Sequence, residues 1–223
     1  MSRAQTVALA AKTIVKTRDI QPHQQRISSE KRRLILNASI QSFLANGYQA
    51  TRMDAIGDLA GVSYATLYKH FPSKEELFLA TVDHVSGEIF ERWKALAVPA
   101  DLKSGLEAIA RNFHTAVSDP KLIAMLRMII GQVHLLPAAG ERFLKDRAMF
   151  SDITDKWMSL RVLEKKLNIS DVSQARAEFI GMLSEAFLLP RLVIPNYKST
   201  PGITRKRIIS IVETFLARYQ STK

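Results

Sequence analysis

The chain has 223 residues, 47% of them apolar, and it contains no cysteine. Disulfide staples, thiolate metal sites and cysteine nucleophiles are therefore excluded, and a reducing, cytoplasmic setting suits the composition. The formal charge of +11 points to an anionic partner, while no run is apolar for long enough to cross a bilayer.

The charge gathers at the two ends. Residues 1–33 carry net +6, residues 34–76 carry −1, and the stretch from Arg191 onward carries +6. Residues 1–28 mix Ala, Thr, Gln, Ser and basic side chains with few large apolar ones, so they read as a mobile basic arm. Disorder without a role fits that composition equally well, and an acid-poor start also resembles a transit peptide.

From Ser29 the pattern turns helical. Leu36, Ile40, Phe43 and Leu44 recur at three- and four-residue spacing, and Gly47 is placed to end the helix. Thr51 opens a short second helix with Asp54 three residues on, a T-x-x-D capping box, and with Ile56 and Leu59 directed inward. Gly61 breaks it. Ser63 caps a third helix whose Leu67 and Phe71 close a small core before Pro72. Ser73 and Glu76 cap a fourth, which carries Leu77, Phe78, Ala80, Val85 and Ile89 and ends by Pro99. Later starts are marked by Asp101, by Asp119 with Pro120, by Asp171 with Gln174, and by Thr200 with Pro201. Period-two runs and hairpin signals are missing, so the expected fold is all-α with about nine helices.

Two short helices joined by a glycine turn, behind a longer helix, suit a major groove about 12 Å wide. The string ATRMDAIGDLAGVSYATLYKHFPSKEEL, residues 50–77, resembles the DNA-binding head of TetR-type transcriptional regulators. The resemblance runs from Leu34 to Val82, and the remainder is similar in length and helical layout. It implies a helix-turn-helix head at 29–75 and a helical effector-binding and dimerisation domain at 76–223. It also implies double-stranded operator DNA as partner, a homodimer, and a repressor released by a small apolar or amphipathic effector.

Within the motif, Thr51 and Arg52 stand where a backbone phosphate meets a helix start. Ser63, Tyr64, Ala65 and Thr66 form the exposed turn that meets base edges, and Lys69 is the cation of that helix. Tyr68 and His70, in L-Y-x-H-F, and Lys74 resemble the family's phosphate contacts. Each has a plainer reading as a cap, a packing residue or a solvated side chain.

In the body, Phe113, His114, Met125, Met128, His134, Phe150 and Trp157 are the residues expected to line an effector pocket, although a filled core explains such a mixture equally well. Phe179, Leu183, Phe187, Ile208, Ile211 and Phe215 are expected at the dimer interface, with intramolecular core as the alternative. No P-loop, dinucleotide glycine motif, H-E-x-x-H or G-x-S-x-G occurs, and the histidines lack metal-ligand spacing. No catalytic residue, cofactor or metal is assigned. The rival reading is a non-specific basic helical DNA-binding or adaptor protein acting through its charged ends.

Overall fold

The structure, a computed structural model, describes residues 3–95 and 97–221, with side chains other than those of residues 3–24, 90 and 146–150. The arm expected over residues 1–28 lies for the most part outside the described side chains. Among the described residues every regular element is helical, and the contacts divide the chain into residues 1–78 and 79–223.

The first unit contains α1 (Arg3–Ala50), α2 (Met53–Ala60), α3 (Tyr64–His70) and the start of α4 (Lys74–Lys94). Helix α1 buries Ile35, Leu36, Ile40 and Phe43 at helical spacing. The break comes at Gly47, whose φ of 75° and ψ of 171° lie where a β-carbon is penalised. Phe43, Tyr48 and Phe78 then close one end of the core, with ring centroids 5.0 to 5.9 Å apart. Gly61, at φ 65°, ends α2 as the pattern predicts, and its N–H turns back to the carbonyls of Asp58 and Gly57. The Ser63 hydroxyl accepts from the Thr66 N–H at 3.3 Å and so caps α3.

One expected core residue is not in the core. Leu59 is 54% exposed, because Met53, Ile56 and Gly57 set the buried face of α2 and Leu59 lies about a third of a turn away from it.

The second unit continues α4 and adds α5 (Leu102–Val117), α6 (Pro120–Gln132), α7 (Pro137–Leu163), α8 (Val172–Leu183), α9 (Leu189–Val193) and α10 (Pro201–Tyr219). The caps read from sequence form here: Asp101 accepts from Ser104 N–H, Asp119 from Lys121, Asp171 from Gln174 and Thr200 from Ile203. The start of α7 carried no such signal, since Leu136 precedes it without a capping side chain. Leu106, Ile109, Met158, Phe179, Leu183, Phe187, Val212 and Phe215 pack into one cluster around α5, α7, α8 and α10.

The helical stretch that opens after Asp171 comes in three pieces, and the described residues hold ten α-helices. Pro190 has no N–H to give the Ala186 carbonyl, and residues Ser184–Leu188 widen into a π-turn between α8 and α9. The freed carbonyls are taken by arginines from elsewhere. Arg207 donates to Ala186 O at 2.9 Å and Arg191 to Phe187 O at 2.6 Å. Arg127 donates to the carbonyls of Arg191, Leu192 and Ile194, sealing the end of α9.

Candidate functional site

The outer face of the first unit is built by α3. Tyr64 and Ala65 in its first turn are exposed, Lys69 is exposed, and Thr66, Tyr68 and His70 are half-buried. Leu67 is the buried residue that anchors the helix, so Ala65 and Lys69, two residues to either side, are turned outward by the 3.6-residue repeat, while Tyr64 is exposed at the open first turn. The Tyr64 and Tyr68 rings lie 4.3 Å apart, forming a small aromatic ledge. The side-chain hydrogen bond to Tyr64 raises the Tyr68 hydroxyl above its ordinary range, so Tyr68 keeps its proton and can donate it to a hydrogen bond. Arg52 is exposed and forks onto Asp54, with Nε to Oδ1 at 3.1 Å. That pairing holds the Asp54 carboxyl below its usual range. An exposed pair of this kind contributes little to stability, so the guanidinium can be exchanged for a phosphate at low cost.

Two assignments need correction. Thr51 does not cap α2: the cap position is Arg52, without a side-chain bond. The Thr51 hydroxyl instead points inward to the carbonyls of Gly47 and Ser42, at 2.7 and 3.2 Å, and the residue is 2% exposed. It fastens the turn after α1, and its hydroxyl is turned away from any phosphate. Lys74, read as a phosphate contact, donates its three N–H groups to the carbonyls of Tyr48, Gln49 and Thr51 at 3.0 to 3.1 Å. Its ammonium also lies 4.8 Å from the Tyr48 ring. It caps the same turn.

The missing cations come from α1. Arg32 lies over the Phe71 ring at 4.7 Å, which sets its charge beside the end of α3. His70 is held below its ordinary value by burial first, then by Arg32, Lys69 and Lys31. The four side chains form one basic cluster. Neither Lys31 nor Arg32 belongs to the motif, although Arg32 sits three and four residues before the buried Ile35 and Leu36. That spacing places its stem on the core-facing side of α1.

Within the second unit, α4, α5, α6, α7 and α8 enclose a cavity of about 450 Å³. Trp93, Phe113, Leu126, Phe143, Ile180 and Leu188 supply much of its apolar wall, and Ser86, Ser151, Thr154, Arg176 and Ser184 its polar atoms. Of the expected lining residues, Phe113 is there. Met125 is core, Met128 is half-buried outside the lining, and His134 is exposed. Trp157 packs in the main cluster with its indole N–H on Pro99 O at 2.8 Å. His114 faces a separate groove between α5 and α10 and meets Arg191 at 3.2 Å. Burial, then Arg191, hold its ring below the ordinary histidine value. The Phe150 side chain lies outside the described residues.

The residues expected to pair two copies are occupied inside one. Phe179, Leu183, Phe187, Ile208 and Phe215 are buried in the cluster and Ile211 packs against it. The apolar residues that α8, α9 with its end, and α10 leave outward include Ala177, Gly181, Leu189, Val193, Ile194 and Ile203. Among the described residues no group of His, Asp and Glu could hold a metal ion, and no helix is long and apolar enough to cross a membrane.

Comparison with known proteins adds three findings. Residues 35–81 match the family described as bacterial regulatory proteins, tetR family, and residues 104–221 match the C-terminal domain described as AefR-like transcriptional repressor. The HTH-type transcriptional activator FasR of Mycolicibacterium smegmatis is 40% identical over 85 residues, 38% of this chain, and the chain spans only 39% of that relative's length. Two solved structures are similar over nearly their whole length. A TetR-family transcriptional regulator from Mesorhizobium loti is 26% identical with a TM-score of 0.78, covering 87% of this chain and 98% of that one. The flavonoid-responsive regulator FrrA is 27% identical with a TM-score of 0.74, covering 87% and 100%.

Proposed function

Since the chain belongs to the TetR family of bacterial regulatory proteins, we propose that it is a cytoplasmic, homodimeric repressor that leaves its operator when a small apolar or amphipathic molecule enters the body. The observation that carries this reading is the face of α3. Tyr64, Ala65 and the Tyr68 ledge stand outward, with the basic cluster of Lys31, Arg32, Lys69 and His70 beside them. Small and aromatic side chains at the helix start suit base edges and thymine methyls, and the cations suit the flanking phosphates.

One such head reads few base pairs, so two heads on half-sites about 34 Å apart supply the specificity. The outward apolar residues Leu189, Val193, Ile194 and Ile203 support pairing of two copies through α8 to α10. Repression is supported by the match of residues 104–221 to a repressor domain. A response to a small molecule is supported by the cavity and by the name of FrrA. Helix α4 runs unbroken from Lys74 to Lys94, beginning in the first unit and lining the cavity in the second through Ser86, Ile89 and Trp93. An effector that favours one setting of this helix weakens DNA binding, and DNA weakens effector binding by the same factor. The basic arm adds non-specific affinity that falls with salt.

The test is a salt-dependent titration of the full chain against its own upstream DNA and a scrambled duplex, with Tyr68→Ala beside the wild type. Selective binding that the variant loses is the expected result. Equal binding to both duplexes, unmoved by the substitution, would show that the charged termini dominate and that the operator reading is wrong.

A further inference from the structure

The ion pair at the start of α2 uses one edge of a guanidinium and leaves another open. Arg52 donates from Nε to Asp54 Oδ1 at 3.1 Å and from Nη2 to Oδ2. The two Nη1 hydrogens and the second on Nη2 are not spent on that carboxylate, and the Arg52 side chain is 77% exposed. Asp54 is itself held to the backbone, since its Oδ1 also accepts the Ala55 N–H at 2.8 Å. A long side chain is thereby given a direction before any partner arrives, which lowers the ordering cost of binding. The pair borders the outer face of α3: the Tyr68 hydroxyl, raised first by its bond to Tyr64, also feels the Asp54 charge. The open edge of such a guanidinium presents two parallel N–H donors, which a phosphate or a guanine can accept. Charge separates the two. The Arg52 and Asp54 side chains are neutral as a unit, and trading the carboxylate for a phosphate strands an anion beside the DNA backbone. The N7 and O6 acceptors of guanine belong to an uncharged base and can be bound with the pair intact.

Resting on the operator reading above, we propose that Arg52 reads a guanine in the major groove of each half-site through its Nη1 and Nη2 edge, and that Asp54 is the residue that positions it. Adenine presents its N6 donor where guanine has O6, and a guanidinium has no acceptor to meet it. Arg52 makes no side-chain bond that caps α2, so its removal leaves the capping of that helix as it is.

The test is a selection of binding sites from a random-sequence duplex library by the full chain and its variants, followed by salt titration of the selected duplex. The wild type is expected to select a half-site with a fixed guanine. A double variant, Arg52→Ala with Asp54→Ala, keeps the net charge of the face. It should release that one position to all four bases, bind the wild-type site about tenfold more weakly and keep the salt slope, while its other preferences persist and show that the head is folded. Arg52→Ala alone supplies the same base readout should the double variant fold poorly. Asp54→Asn keeps the size of the side chain. It should loosen the same position and steepen the salt slope by about 0.9, because the freed guanidinium turns to a phosphate. A selection that enriches no sequence brings down the operator reading and this inference together. Base preferences fully retained without Arg52, or a released position that is not guanine, leave the operator reading standing and overturn the assignment of Arg52. A guanine preference lost without Arg52 but unmoved in Asp54→Asn removes the positioning role from Asp54.

Discussion

The two units place their polar chemistry oppositely. In the first, Tyr64, Ala65 and Lys69 stand outward from a core closed by neighbours in sequence, and its most distant side-chain hydrogen bond of those described joins Lys74 to Tyr48, 26 residues apart. In the second, polar atoms line an internal cavity, and the body around it is held by bonds such as Arg191 to His114, 77 residues apart. A surface reader needs a rigid short-range frame, whereas an enclosed cavity needs elements brought together from along the chain. Substitutions that test this contrast fall into two groups: those that loosen the long-range body and those that strip the head of charge.

The largest effect is expected in the body at Gly105. A β-carbon there would lie 2.2 Å from a Trp157 ring carbon and 2.7 Å from Pro99 O, and neither an indole fixed by its own hydrogen bond nor a backbone carbonyl yields easily. Gly105→Ala should lower stability by about 3 kcal/mol, read from the urea midpoint. An unchanged midpoint would mean that the α5 to α7 contact adapts and is no strict element of the frame.

In the head, Lys74→Met separates two roles. Removing the ammonium from three carbonyls should cost roughly 2 kcal/mol of stability and leave the salt dependence of DNA binding as it was. Were Lys74 a phosphate contact, stability would hold and the salt slope would fall by about 0.9.

The legibility of the sequence follows the same division. Helix starts were visible because Ser63, Asp101, Asp119, Asp171 and Thr200 each act within three residues of themselves. Thr51 misled because a hydroxyl at a helix start has two destinations, and only the turn after Gly47 brings the carbonyls of Gly47 and Ser42 within its reach. In the body, spacing identified Phe179, Leu183 and Phe187 as one apolar face, but whether that face meets its own chain or a copy depends on α5 and α10 arriving beside it. The cavity residues Trp93, Phe113 and Phe143 lie on three helices whose convergence no local pattern encodes. Arg32 stands outside the recognisable motif, and its place beside α3 was not legible because its partner, Phe71, comes 39 residues later.

Acidification should affect the body through His114. Its folded-state value is held down by burial and by Arg191, so the unfolded chain binds the proton more readily. Stability from this group is complete above the unfolded value near 6.5 and is lost as pH falls through the lowered folded value. Urea midpoints between pH 7.5 and 5 should decline in the wild type more than in His114→Gln. Parallel declines would place the acid sensitivity elsewhere.

The smallest effect is expected on the head, and it has the opposite sign because it concerns binding. In the free protein His70 is disfavoured as a cation by burial and by Arg32, Lys69 and Lys31. A DNA phosphate brought to that cluster offsets the repulsion and raises the His70 value, so binding takes up protons and affinity grows as pH falls below about 7. His70→Gln should flatten that dependence and change the salt slope less at pH 8 than at pH 6. Arg32→Gln should lower the salt slope by about 0.9 at both pH values and, by relieving the repulsion, make His70 easier to protonate in the free protein. The pH dependence of binding should therefore weaken in Arg32→Gln as well. A slope unchanged in Arg32→Gln would return the head to the near-neutral surface its own charge count describes, with the arm alone holding the backbone.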